Sequence, residues 1–260
     1  MIGGGAYGKA LRNVMKNNGH EAECYDPNKN TRSLKEVLKG ANMMVLAVPS
    51  SVVMEAVKDL PKNLPLIVAT KGIVPAEAYA GFERVIWLSG AAYASDLNRG
   101  EKVRLTVTDK CVAKLFRNNK IYIEVTGDAK GVTLCGALKN VYAILAGLYD
   151  LEPETELWWR FLREVANEMR DILELNGAQR ETFDLSCGWE DLKITAAPPS
   201  RNFAYGQKWR KKPHARQVEL VEGLNALEKI SEGDIKIPDS AKFMKKILDK
   251  YKEERDGQPK

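Results

Sequence analysis

One lysine, Lys139, stands among small and apolar residues in the run Gly131-Val132-Thr133-Leu134-Cys135-Gly136-Ala137-Leu138-Lys139-Asn140-Val141-Tyr142-Ala143-Ile144. The apolar Val132, Leu134, Leu138, Val141 and Ile144, with the small Gly136, Ala137 and Ala143, predict a helix packed closely on its neighbours, where an ammonium group needs a partner. Two readings fit this lysine. Its stem can lie along the helix while its head reaches water, or it can face a cleft as a catalytic cation that stabilises and protonates a developing alkoxide. Near the start of the chain, Gly3-Gly4-Gly5-Ala6-Tyr7-Gly8 fits G-x-G-x-x-G and runs into a helical stretch that breaks at Asn17-Asn18-Gly19. Glycines at that spacing allow a tight turn and bring backbone N–H groups to a pyrophosphate at the positive end of the helix. Residues 21–25 read as a short strand ending at Asp26, 18 residues beyond Gly8. A carboxylate there accepts hydrogen bonds from the adenosine ribose and repels a 2′-phosphate, which favours NAD over NADP. Lys29 and Arg32 follow in the same loop and act in the opposite sense, by neutralising Asp26.

Elements that must hold these residues alternate in the first half of the chain. Residues 43–48, 66–70 and 85–89 are short apolar runs of the kind buried on both faces of a parallel sheet, with a helical pattern over 52–60 between them. Residues 104–108 and 121–125 read as further strands, and Gly127-Asp128 closes the series. Beyond it the pattern turns helical. Leu157, Phe161, Leu162, Val165, Met169, Ile172 and Leu173 recur at helix spacing until Asn176-Gly177, with Trp158 and Trp159 as packing residues. Phe243, Met244, Ile247, Leu248 and Tyr251 repeat the pattern after Pro238-Asp239. From about Glu253 the chain is polar and reads as frayed. The fold class is therefore α/β, a Rossmann-type doubly wound parallel sheet over 1–127 that binds NAD(P), followed by an all-α substrate domain over 128–260. Only Met1 and Ile2 precede Gly3, where such a unit needs a buried first strand. Either the start lies upstream, encoding four to six further apolar β-formers, or most of a central strand is missing.

Composition narrows the function classes. The 260 residues are 44% apolar and 29% charged, which is globular, and a formal charge of +5 suits anionic small ligands. No nucleic-acid motif is visible, and the run Lys208-Trp209-Arg210-Lys211-Lys212 reads as a solvated face. Cys24, Cys111, Cys135 and Cys187 lack C-x-x-C spacing, and His20 and His214 are the only histidines. This spacing suggests neither a metal site nor a disulfide framework. There is no signal peptide and no apolar run read as a membrane span, so the expected location is cytoplasmic.

In this order the motifs resemble the NAD(P)-dependent glycerol-3-phosphate dehydrogenase family. The resemblance is carried by Gly3 to Gly8, Val48-Pro49-Ser50, Thr70-Lys71-Gly72-Ile73, Leu88-Ser89-Gly90, the run from Val125 through Ile144, Asp191-Leu192 with Thr195, Ser200-Arg201-Asn202 and Val221-Glu222-Gly223. It implies that dihydroxyacetone phosphate and sn-glycerol 3-phosphate are interconverted for glycerophospholipid synthesis, with the site between the domains. By the same resemblance Lys139 is the proton donor and acceptor, with Asn140 beside it and Lys71 as a second lysine near cofactor and substrate. Asp191 and Thr195 form the substrate-side pair, and Ser200, Arg201 and Asn202 hold the substrate phosphate. Gly90 is implied on the substrate side. Gly3, Gly5, Ala6, Tyr7, Gly8, Asp26, Pro49, Lys71, Ala94, Arg201 and Glu222 are implied on the cofactor side. The partner is a phosphorylated small molecule, with neither nucleic acid nor membrane insertion, and a homodimer is left open.

Three departures stand against the family pattern. Ala92 lacks the hydroxyl or amide usual after the S-G segment, while Trp189 and Glu190 flank Asp191, where Glu190 can raise its pKa or compete for Lys139. Two other functions therefore stay open: a related hydroxy-acid dehydrogenase or ketopantoate-type reductase, and a nucleotide-binding relative without turnover.

Overall fold

The computed structural model describes residues 1–29, 32–211 and 221–256; Lys212 and His214 lie outside the described residues. The chain divides into two compact units, Met1–Ala129 and Lys130–Lys260.

In the first unit, β1 (Met44–Leu46), β2 (Leu66–Val68), β3 (Val85–Ser89), β4 (Val103–Val107) and β5 (Ile121–Val125) form one sheet in sequence order. β1, β2 and β3 pair in parallel, as do β4 and β5, whereas β4 runs antiparallel to β3. Alternation along each strand divides the apolar residues between two layers. Val45, Ile67 and Ile86 stand in register and pack with α1 (Ala6–Asn17), as Met44, Leu46, Leu66 and Val68 do with the opposite layer. That opposite layer holds α2 (Leu34–Leu38) and α3 (Val53–Ala56), while α4 (Ala94–Arg99) and α5 (Lys110–Phe116) join α1. This is the doubly wound arrangement.

Two elements are shorter than the sequence pattern predicts. The helix expected over 52–60 is the single turn α3 behind a 3₁₀ turn at Ser50–Val52; adjacent β-branched Val52 and Val53 disfavour a longer one. The strand expected over 21–25 is reduced to Tyr25, which bridges Ile2. Ile2, 4% exposed, also bridges Leu46, so one residue fills the central slot between them. Its ladder is complete: Ile2 N–H donates to Val45 O at 2.7 Å, Ala47 N–H to Ile2 O at 2.8 Å and Gly3 N–H to Tyr25 O at 2.9 Å. Of the first strand that such a unit needs, Ile2 is the residue present here, and it delivers Gly3 to the end of the sheet.

The second unit is helical: α6 (Ala129–Leu148), α7 (Glu156–Leu175), α8 (Asp191–Thr195), α9 (Arg201–Lys211), α10 (Glu222–Ser231) and α11 (Lys242–Asp256). α11 stays helical through Asp256, past the fraying expected from Glu253. α6 is long and apolar enough to cross a membrane, a span the sequence reading did not pick out, but its residues are buried on all sides and it is the core of this unit. α9 crosses it backbone on backbone. A Cβ built on Gly147 would stand 2.0 Å from Phe203 O, and one on Gly206 2.0 Å from Ile144 O, so only glycine fits either position. Trp158 belongs to the core, its indole N–H donating to Ala196 O at 3.0 Å.

Glu168 lies within the apolar stripe of α7 and is 7% exposed. Its carboxylate accepts from Phe243 N–H at 2.8 Å and Met244 N–H at 3.1 Å, which caps α11, and from the buried Tyr142 hydroxyl of α6 at 2.9 Å. Burial raises its pKa and the hydrogen bonds work against that rise. Glu168→Ala should destabilise the fold by about 3 kcal/mol, since it strands two amide donors and a buried hydroxyl. The raised pKa means the folded protein binds the extra proton. That contribution is complete below about pH 4.5, the ordinary glutamate value, and is lost as pH rises through the folded value. Melting temperatures of Glu168→Gln and the parent, compared across that window, should therefore shift in favour of Glu168→Gln as pH rises.

Candidate active site

In the first unit the glycines divide their work. Gly3 has φ +107° and a Cβ there would stand 2.4 Å from Ala47 O; one on Gly8 would stand 2.2 Å from Gly3 O. These two permit close strand–strand and helix–strand approach. A Cβ on Gly5 would meet nothing within 4 Å, and Gly5 caps α1 without any side chain. The first turn of α1, Ala6, Tyr7 and Gly8, thus begins in open space with its positive end outward, which fits a pyrophosphate group. Beside it, Asp26 accepts from Gly4 N–H at 3.1 Å and Asn28 N–H at 3.0 Å, and pairs with Lys29 at 2.9 Å. The Lys29 hydrogen bond is the largest cause holding the Asp26 carboxyl below its usual range. Lys29 does fold back onto Asp26, as the loop spacing allows, and its ammonium also donates to Gly4 O.

Past the carboxyl ends of β2 and β3, Lys71 donates to Gly90 O at 3.2 Å and stands 5.5 Å from the centre of the Tyr7 ring. Thr70 ties the end of β2 to Val48 O at 2.9 Å, next to Pro49. Tyr7, Lys71 and Gly90 are therefore brought together at the strand ends, where open α/β sheets bind ligands. Ala92 is buried with its N–H on Gly90 O, and Ala94 opens α4 half-buried.

In the second unit Lys139 does not reach out to solvent: it is 2% exposed and Asp191 1% exposed. Its ammonium forms an ion pair with Asp191 and donates to Thr195 Oγ1 at 3.2 Å; Thr195 Oγ1 in turn donates to Asp191 O at 2.5 Å. A buried ammonium is tolerated only with such compensation. A π-type turn at Ser186–Glu190, which the sequence pattern did not reveal, delivers Asp191 to the first position of α8. On that turn Trp189 packs with Phe183 and Trp159, at 6.3 and 6.4 Å between ring centres, and Glu190 is half-exposed.

A second set of bonds begins one residue along α6. Gly223 N–H donates to Asn202 Oδ1 at 3.0 Å, Asn202 Nδ2 to Asn140 Oδ1 at 2.9 Å, and Asn140 Nδ2 to Gly136 O at 3.0 Å. This buried amide chain ties α10, α9 and α6 together. It holds Glu222, at the first turn of α10, beside Gly223. The Gly223 amide was not singled out from the sequence as a site group; its place directly after Glu222 was the signal available. Ser200 accepts from Phe203 N–H at 3.4 Å and caps α9. Arg201, the next residue, is exposed and makes no side-chain hydrogen bond or ion pair with another described residue. A guanidinium fork of this kind has the geometry to bind an anion with paired N–H donors.

Comparison with known proteins shows what the chain is similar to. Residues 128–252 match the family model for the C-terminus of NAD-dependent glycerol-3-phosphate dehydrogenase. A glycerol-3-phosphate dehydrogenase (NAD(P)+) of Deinococcus radiodurans is 32% identical over 214 residues, covering 75% of this chain and 64% of that protein. The chain thus spans just under two thirds of that relative's length. One from Brucella canis is 28% identical over 275 residues, covering 86% and 83%. In fold, the crystal structure of glycerol-3-phosphate dehydrogenase from Coxiella burnetii has a TM-score of 0.74 at 20% identity, over 98% of this chain and 96% of that one. Over most of its length the chain is thus similar to the NAD(P)-dependent glycerol-3-phosphate dehydrogenases, and residues 128–252 match the C-terminal domain of that family.

Proposed function

We propose that the protein reduces dihydroxyacetone phosphate to sn-glycerol 3-phosphate with NADH or NADPH, reversibly, and so supplies the glycerol phosphate of glycerophospholipids. The observation that carries this reading is the buried Lys139, Asp191 and Thr195 cluster, because ketone reduction needs a held proton donor. When bound, the nicotinamide supplies the hydride. Gly3, Gly5, Ala6, Tyr7 and Gly8 hold its pyrophosphate, and Asp26 holds the adenosine ribose. Pro49, Lys71, Ala94, Arg201 and Glu222 complete the cofactor contacts.

Lys139 places its ammonium on the carbonyl oxygen, stabilises the alkoxide as it forms and transfers a proton to it. Asp191 and Thr195 fix the direction of that ammonium, and Asp191 offsets the cost of burying its charge. Arg201 grips the phosphate as a planar fork, aided by Ser200 and Asn202 at the start of α9. Asn140, Lys71 and Gly90 complete the substrate side. The test is oxidation of NADH and NADPH with dihydroxyacetone phosphate, with ketopantoate and in buffer alone. Turnover with dihydroxyacetone phosphate only is expected; turnover with ketopantoate instead, or with neither, would overturn the reading.

A further inference from the structure

The loop after Tyr25 carries more than a ribose acceptor. At least three of the roughly four acceptor positions of the Asp26 carboxylate are already taken, by Gly4 N–H, Asn28 N–H and the Lys29 ammonium. A ribose diol that relies on this carboxylate therefore meets a group whose lone pairs are largely committed. Lys29 has the opposite balance. Of its three N–H donors, one goes to Asp26 and one to Gly4 O, and the third has no partner among the described residues. With its side chain 45% exposed, that donor is open to a ligand. The pair is also electrically neutral, so a dianionic group approaching it does not meet the repulsion that a lone carboxylate exerts.

Position adds to this. Lys29 is bonded to the carbonyl of Gly4, inside the glycine loop. A Cβ on Gly4 would lie 2.9 Å from Asp26 Cβ and Oδ2, so loop, acid and lysine are packed as one unit. Lys29 thus stands beside the loop that opens α1.

We propose that Lys29 sets the choice between the two nicotinamide dinucleotides: by pairing with Asp26 and directing its remaining N–H outward, it lets the chain accept a 2′-phosphate where Asp26 alone would reject it. This rests on the nucleotide-binding reading of the first unit. Use of either dinucleotide is what the names of the relatives state of those proteins; the role assigned here is that of Lys29, whose loss leaves binding NAD-selective.

The experiment measures binding of ADP-ribose and 2′-phospho-ADP-ribose to the full chain by calorimetry, which needs no turnover. For the unaltered protein the two dissociation constants should lie within about tenfold of each other. In Lys29→Gln the 2′-phospho ligand should weaken by about tenfold or more relative to ADP-ribose, and Lys29→Arg should restore the ratio. Asp26→Asn should shift the ratio the other way. Raising the salt should weaken the 2′-phospho ligand more than ADP-ribose in the parent, since it carries the additional charge. If both ligands bind and Lys29→Gln leaves their ratio within twofold, the role of Lys29 is overturned while nucleotide binding stands. If neither binds the unaltered protein, the nucleotide reading falls and takes this inference with it.

Discussion

Lys139→Ala should lower turnover by about two to four powers of ten, the scale of a positioned acid–base group, and leave nucleotide affinity nearly unchanged. The alanine removes the cation paired with the buried Asp191, so stability is also at stake, by about 3–5 kcal/mol for a buried charge that loses its ion-pair partner. Lys139→Arg separates the two effects. Arginine keeps a positive charge for Asp191 but does not release its proton near neutrality, so folding should be largely retained while turnover falls. Thr195→Ala, which removes one hydrogen bond to the ammonium, should cost far less, about tenfold. Single-turnover kinetics with saturating cofactor would check all three. Near-normal turnover in Lys139→Ala would remove the lysine from the chemistry.

The second large effect is expected at Arg201 and in a different constant. Its guanidinium is exposed at the first residue of α9, without a side-chain partner among the described residues, so none of the described contacts depends on its charge. Arg201→Ala should raise KM for dihydroxyacetone phosphate by about tenfold to a hundredfold, matching 1.5–3 kcal/mol for hydrogen bonds to a charged group. The melting temperature should hardly move. Lysine at this position should recover only part of the loss, because it cannot make the paired bonds of the planar fork. Unphosphorylated dihydroxyacetone is the control: it should be a poor substrate for the parent, and Arg201→Ala should make it no worse. Equal use of both ketones by the parent would end the phosphate assignment.

Much of this arrangement is legible in the residues because it rests on local rules. The glycine spacing needs only a turn and a helix start, and β1 to β5 announce themselves as short apolar runs between breakers. Lys139 stands out as a charge in an apolar helix. Partnership across the chain is what local pattern cannot show. The hydrogen bond from Lys139 to Thr195 spans 56 residues and depends on a π-type turn with no periodicity of its own. Glu168 is the instructive case. Its position between Val165 and Met169 places a carboxylate on the apolar stripe, which signals a buried partner, but the amides it caps lie 75 and 76 residues away. The strand over 21–25 failed for the converse reason, since its β pattern is adequate and only Ile2 stands beside it to pair.

The contact of Gly147 with Gly206 has a consequence for motion. Two helices that touch through their backbones have no side chain between them to slide or rotate upon, so α6 can shift only if α9 shifts with it. Lys139 and Asn140 ride on that helix. Amide protons along the middle of α6 should be among the slowest in the protein to exchange with deuterium, opening only when the whole unit unfolds. The proposed proton donor is thus mounted on a helix that cannot shift on its own.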